Sequence, residues 1–404
     1  MKILFSFYDR PGYTGGPAIN ARRLLPELSK MGVEVHALIK YFDDSDVANH
    51  LIAMGIYVHK YTGNIYSEKE VVEIMKVVEK VQPDIYVCNI NTPGCFTSPW
   101  LIESGIPTIN THRSDDDLNW GRAVFFSDRN NHYHTSACVC VNKWLETEMK
   151  NRLRGNSIKT RVIPSGVYPS RFKANFDMKA RGVVYTGRFQ DKQKNVLELL
   201  ECMIELIKLG IVDYATLIGS GVLLYDLKLR VVEEGLDNVI KIMPRMDGDD
   251  YKKEMSRHHY FLFNSNYEGT PGAVMDAMSC GLIPIVRRYN GVTELVEDSC
   301  GFVFNEIHVV PELIGGLIID NKNEIELSNN AINKISQGFS IEISANRWLS
   351  LFDELLMTVQ KKKQFKIPTK IVLPKLVPQL LEHHVKPSLL KRLVTLYYKK
   401  IWKY

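Results

Sequence analysis

Asn266-Tyr-Glu268-Gly-Thr-Pro-Gly272-Ala-Val-Met-Asp276-Ala-Met-Ser-Cys-Gly281-Leu-Ile-Pro284 is the stretch on which the reading of this chain turns. An apolar run, Tyr260–Asn264, precedes it and predicts a buried strand, and a second run, Leu282–Val286, predicts another. Between them a polar loop leads into a helix that starts near Gly272. Strand, loop, helix and strand in that order make one βαβ unit, and hence a parallel sheet. The free N–H groups and positive dipole end of such a helix suit an anion. Glu268 lies just ahead of the helix and Asp276 about one turn inside it, so both carboxylates can face one site while a phosphate sits at the helix start.

The same alternation extends in both directions. Upstream, strands are expected at Lys2–Phe7, Val33–Ile39, Asp84–Asn89, Pro107–Thr111 and Ala137–Val141, with helical patterns such as Ala18–Met31 and Glu68–Val81 between them. After a polar connection near Gly166–Lys179 the pattern restarts, with strands at Gly182–Thr186, Tyr214–Ile218, Val239–Ile242, Tyr260–Asn264 and Leu282–Val286. A chain of 404 residues exceeds one core, which stops growing near ~250 to 300 residues. The expected fold is α/β: two Rossmann-like doubly wound parallel sheets, residues 1–165 and 166–340, facing one cleft. A closing amphipathic helix at 341–360 and a basic tail at 361–404 follow. Ligands of such sheets bind beyond the carboxyl ends of the strands, at the switch point of strand order.

Further motifs lie at those carboxyl ends. Gly15–Gly16 closely follows the first strand and precedes a helix that Pro17 can open. This is not the full GxGxxG fingerprint, so nothing specific to NAD is present. In Tyr185-Thr-Gly187-Arg188-Phe-Gln-Asp-Lys192-Gln-Lys194-Asn195, two cations at a strand edge suit a diphosphate, Arg as a fork and Lys as a compact charge. Thr216-Leu-Ile-Gly219-Ser-Gly221 is another strand that runs into a glycine turn. Each also has a plain reading as a tight turn or a solvated basic loop.

Taken together and in this order, these motifs resemble the large retaining glycosyltransferase family 4, the GT-B enzymes of the glycogen-synthase and sucrose-synthase kind. The block from Glu268 resembles that family's E-x7-E signature, and Ile163-Pro-Ser-Gly-Val167 resembles its interdomain link. The resemblance spans most of residues 1–360. It implies that Arg188 and Lys194 neutralise the diphosphate of a nucleotide-sugar donor, that Glu268 sits against the donor sugar, and that the amides of Gly272 and Ala273 meet sugar or phosphate oxygens. It further implies that Asp276 holds the ribose, that Gly15, Gly16, Gly187, Gly219 and Gly221 admit the donor closely, and that His112 contacts the donor sugar. By the same resemblance, transfer retains anomeric configuration and uses neither cofactor nor metal. Three departures stand out. The second acid is Asp276 rather than Glu, the link carries Ser165, and the spacing from Arg188 leaves Lys192 open beside Lys194. His112 also reads as an ordinary loop histidine, and Arg113 after it is a candidate to meet an acceptor phosphate. Asp115-Asp-Asp117 reads better as a helix-capping or acceptor-facing loop than as a metal site, and His132, His134 and Cys138 lack a fourth ligand.

Bulk composition narrows the setting. Hydrophobic residues at 45% and charged ones at 24% describe an ordinary globular protein. Asp9 and Arg10 interrupt the apolar start before a signal peptide could form, and no run approaches the ~18 apolar residues of a spanning helix. The seven cysteines include no CxxC pair and are read as reduced core residues, which places the protein in the cytoplasm. Residues 361–404 hold twelve Lys and Arg against Glu382 alone, whereas residues 1–360 hold 39 basic and 45 acidic residues. The tail end, Lys386–Tyr404, has helical spacing, with Leu389, Leu390, Leu393, Leu396, Tyr397 and Ile401 on one face. It is expected to lie on an anionic membrane surface. Packing on the first domain and self-association are the competing readings, and nucleic acid is not an expected partner. A membrane-associated transferase implies a saccharide or lipid-linked saccharide acceptor, as in O-antigen or capsule assembly. The reading from another class is a catalytically silent nucleotide-binding scaffold.

Overall fold

The computed structural model describes residues 1–9, 15–40, 45–63, 66–319, 321–375, 377–381, 383 and 384. The first sheet holds β1 (Lys2–Tyr8), β2 (Glu34–Lys40), β3 (Tyr57–Tyr61), β4 (Ile85–Cys88), β5 (Thr108–His112), β6 (Ala137–Cys140) and β7 (Lys159–Val162). The second holds β8 (Gly182–Arg188), β9 (Tyr214–Ser220), β10 (Ile240–Met243), β11 (Tyr260–Phe263), β12 (Ile283–Arg287) and β13 (Phe302–Phe304). Strand order is β3-β2-β1-β4-β5-β6-β7 in the first sheet and β10-β9-β8-β11-β12-β13 in the second, and every pairing is parallel. Switch points therefore fall between β1 and β4 and between β8 and β11. The inner strands β1, β4 and β11 are buried along most of their length, because helices cover both faces of a parallel sheet.

The chain passes between the domains twice. It leaves the first at Ile163–Val167 and returns at Phe339–Ile341. The two passages pair: Val167 N–H donates to Phe339 O, and Ile341 N–H donates to Val167 O, each at 3.0 Å. The returning helix, Ile341–Met357, is capped by Ser340 and buries Ile341, Ala345, Trp348, Leu351, Phe352 and Leu355. These side chains complete the core of the first domain, with Trp348 set edge-on to Phe5 at 6.2 Å. Large-to-small changes at such fully buried aromatics cost about 3 to 5 kcal/mol.

The tail requires a correction. Residues 361–384 are not helical where described, and they run as an extended strap along the first domain. Phe365, Leu373, Val377 and Leu380 bury themselves beside Phe96, Leu101, Ile106 and Phe126. Backbone groups are matched as well: Phe365 N–H donates to Gln82 Oε1 at 2.9 Å, Lys363 N–H to Ser104 O at 3.0 Å, and Tyr133 OH to Val372 O at 2.6 Å. At Gly121 the strap comes so close that a Cβ would overlap the Gln379 carbonyl. The apolar residues between the tail's early lysines thus serve the first domain. The amphipathic helix expected at Lys386–Tyr404 lies outside the described residues. Among the described residues, no helix is long and apolar enough to cross a membrane, and all seven cysteines are buried and unpaired.

Candidate active site

At the switch point of the second sheet, β8 ends in Arg188 and β11 runs into the loop that carries Glu268. After β8 a single helical turn, Asp191–Lys194, stops at Asn195, whose left-handed φ of 45° lets the Val196–Lys208 helix start in a new direction. This break turns Lys194 inward and leaves Lys192 exposed. The Lys194 ammonium bonds Glu268 Oε1 and lies 4.8 Å from the centre of the Phe263 ring. Gln193 links the group: its Nε2 donates to Glu268 Oε1 at 3.2 Å and to Tyr267 O at 2.9 Å, and its Oε1 accepts from Arg188 Nη2 at 2.7 Å. Arg188, Lys194 and Glu268, predicted from separate stretches, thus meet at one point. Gln193 was missed because a glutamine between two lysines gives no signal of its own.

The loop with Glu268 is seated on the first domain. Gly269 bridges to Ser114, Asp115 N–H donates to Glu268 O at 3.3 Å, and Thr270 Oγ1 donates to Val141 O at 2.7 Å. Asn142 Nδ2 donates to Gly269 O at 3.1 Å, and Glu294 accepts from the amides of Lys143 and Trp144 at 2.8 and 2.9 Å, capping a first-domain helix from the second domain.

Gly272 begins the Gly272–Ser279 helix, which no side chain caps. Asp276 lies inside that helix, buried, and both its oxygens are engaged. Arg23 of the first domain donates to Oδ2 at 2.7 Å and Lys252 to Oδ1 at 2.6 Å; Lys252 also donates to Ser279 Oγ at 2.8 Å. Burial acts to raise the Asp276 carboxyl, but the two cations outweigh it and hold the group below its ordinary value. Arg23 also approaches Gly272, with Nη1 3.8 Å from where a Cβ would stand. Neither Arg23 nor Lys252 was legible, since each is one of several cations on an amphipathic helix.

The glycines divide. Gly15 is buried just before the Gly16–Lys30 helix and Gly16 is exposed at its start. Gly187 and Gly219 are register partners in the β8–β9 pairing, where they let two strand ends touch, and Gly221 packs on the Phe189 backbone. His112, at the end of β5, is wholly buried, set edge-on to Trp120 at 4.2 Å, and neither ring nitrogen has a hydrogen-bond partner. The residues that follow it, Arg113 and Ser114, lie against Gly269 of the Glu268 loop. Asp116 caps the Asp117–Ser127 helix, Asp115 binds Trp120 and Asn290, and among the described residues no cluster of His, Cys, Asp and Glu gathers to hold a metal.

Burial first, then the Arg122 cation, pulls His112 down to about 3; burial does the same for His258 and His259, to about 4 each. All three fall below their ordinary value of 6.5, so in this window the unfolded chain binds protons that the folded chain does not. Stability is full above pH ~6.5 and is lost as pH falls towards 4, by about 1.4 kcal/mol per pH unit for each such histidine. Urea midpoints are expected to drop clearly between pH 7 and pH 5, and His258→Gln should flatten that slope.

Two facing parallel-sheet domains with this cationic, acid-bearing cleft define a glycosyltransferase of GT-B architecture. Residues 169–337 match the family model for glycosyl transferases group 1, and residues 14–171 match that for glycosyltransferase family 4. The chain belongs to the family 4 type glycosyltransferases. It is 24% identical to the UDP-Gal:alpha-D-GlcNAc-diphosphoundecaprenol alpha-1,3-galactosyltransferase of Escherichia coli, over 72% of this chain and 80% of that protein. It is 28% identical to the capsular polysaccharide biosynthesis glycosyltransferase CapH of Staphylococcus aureus, over 43% of this chain and 50% of that one. The Anabaena Alr3699/HepE structure in complex with UDP and glucose shares the fold, with a TM-score of 0.70 at 19% identity, covering 88% of this chain and all of that one.

Proposed function

We propose that this protein transfers a hexosyl group from a UDP-sugar to a lipid-linked saccharide in surface polysaccharide assembly, with retention of configuration and without a metal ion, at the inner face of the cell membrane. The observation that carries the reading is the convergence of Arg188, Lys194 and Glu268 at the switch point of the second sheet. When the bond between the anomeric carbon and the diphosphate oxygen breaks, negative charge collects on the departing nucleotide. Arg188 and Lys194 stabilise that charge, and preorganised charges of this kind supply much of the acceleration in such sites. Glu268 faces the donor sugar, and the Gly272 and Ala273 amides receive its oxygens. Asp276 is the ribose ligand, and donor binding exchanges part of its hold on Arg23 for the ribose hydroxyls. The UDP-dependent relative supports the choice of nucleotide, and its diphosphate-lipid acceptor supports the choice of acceptor.

The test is thermal unfolding of the full chain against UDP-, GDP-, ADP- and dTDP-sugars, repeated with Arg188→Ala. A ligand at ~100 times its Kd adds ~2.7 kcal/mol of stability. UDP-sugars are expected to raise the melting temperature of the wild type and to lose that effect in Arg188→Ala. No response to any nucleotide sugar at millimolar concentration rejects the donor site and the enzyme with it.

A further inference from the structure

Two arginines withdrawn from solvent in the first domain, Arg113 partly and Arg122 fully, have no carboxylate partner among the described residues. Arg113, just past β5, donates from Nε to Asn89 Oδ1 at 2.5 Å, from Nη1 to Ser165 Oγ at 3.1 Å and from Nη2 to Asn20 Oδ1 at 2.7 Å. Arg122, fully buried, donates from Nε to Asn110 Oδ1 at 3.3 Å and from Nη2 to Thr111 O at 2.8 Å and Asn119 Oδ1 at 3.0 Å, while its Nη1 has no partner. Every acceptor named here is neutral, although a buried charge is costly unless it is paired.

The arrangement around Arg113 leaves it ready for an anion. A guanidinium has five N–H donors. Three bonds use one hydrogen on each nitrogen, which leaves one on Nη1 and one on Nη2 to meet an oxyanion. Asn89 follows β4, Asn20 lies on the helix after β1, and Ser165 lies in the link, so the guanidinium sits at the β1/β4 switch point. Arg113 as a residue keeps partial exposure, unlike Arg122. Arg122 beneath adds positive potential and, after burial, contributes to holding Arg113 down at about 9. A phosphate would relieve both.

We propose that Arg113 anchors a phosphate of the acceptor. The proposal rests on the transfer reading above. The donor diphosphate has its own cations in the second domain, whereas the three partners of the Arg113 guanidinium all come from the first domain and the link. What binds there therefore belongs to the ligand of the first domain.

The test is calorimetric titration of the full chain with dodecyl diphosphate and with dodecyl glucoside, with and without saturating UDP. The wild type is expected to bind the diphosphate and not the glucoside, and UDP is expected not to compete. Loss of one charged hydrogen-bonded anchor should weaken the diphosphate by about 10- to 100-fold in Arg113→Gln, with UDP affinity unchanged. Arg113→Lys should recover part of it, and Arg188→Ala should show the reverse pattern. Competition by UDP, or equal diphosphate affinity in Arg113→Gln of wild-type melting temperature, overturns the proposal. If diphosphate binding follows Arg113 while no sugar is transferred to any diphosphate-linked acceptor, the phosphate site stands and the transfer reading fails.

Discussion

Lys194→Ala is expected to lose about 100- to 1,000-fold in the rate of sugar transfer, the range seen when one preorganised charge-stabilising group is removed. It should also unfold more easily. Lys194 and Glu268 are both about nine-tenths buried at the side chain, and removing the cation leaves the carboxylate with Gln193 as its remaining donor. Breaking such a pair from one side costs about 3 to 5 kcal/mol, whereas replacing both partners by neutral groups of similar volume can be close to neutral. Lys194→Met with Glu268→Gln should therefore recover stability but not activity. Lys192 is exposed at the same turn, and Lys192→Ala should change stability by at most about 0.5 kcal/mol and turnover little. Single-turnover rates and urea unfolding of the four proteins separate these outcomes, and equal damage from Lys192→Ala would show that the turn has been assigned to the wrong lysine.

Gly269→Ala is the second severe change expected. A Cβ there would overlap the Arg113 carbonyl oxygen and press on Val141, where the Glu268 loop rests on the other domain. Overpacking costs about 1 to 3 kcal/mol. The larger penalty is functional, because the loop can seat only if the domains part, and a displacement of about 1 Å at a reacting group costs about 100-fold. The variant should show a larger radius of gyration in solution scattering and a fall in kcat/KM of that order. Gly272→Ala, three residues on, is the contrast: its Cβ meets nothing nearer than Arg23 Nη1 at 3.8 Å, so the fold should be unaffected. Unchanged scattering and activity in Gly269→Ala would mean that the interdomain seat is not required.

Most strands and their grouping into two sheets were legible, because a segment buried on both faces is rich in β-branched and apolar residues, as in β4 and β11; β5 is fully buried with largely polar side chains. β3 escaped notice because its Tyr57-Val-His-Lys-Tyr61 stretch is largely open to solvent, and β13 because three residues carry no period. β7, Lys159–Val162, was not among the expected strands. In the site, residues close in sequence to a strand end were readable, since the parallel sheet fixes where strand ends lie. Partners brought in from other elements, Arg23, Lys252 and Gln193, were not, because nothing in a single helix marks which of its cations will cross a cleft. The tail misled for a related reason. Its alternation of lysine with apolar residues fits a helix at an interface and also an extended strap over an apolar surface, and in residues 361–384 tertiary packing decides.

The strap and the returning helix also bear on the order in which the protein can be made. A ribosome delivers the chain from its N-terminus, and domains usually close in that order. Here the core of the first domain lacks Trp348, Phe352, Phe365 and Leu380 until almost the whole chain has emerged, whereas the buried core of the second runs from Val167 to Ile335. Synthesis therefore completes the later domain first, and the earlier one waits, part of its apolar face uncovered, for the last segments to arrive.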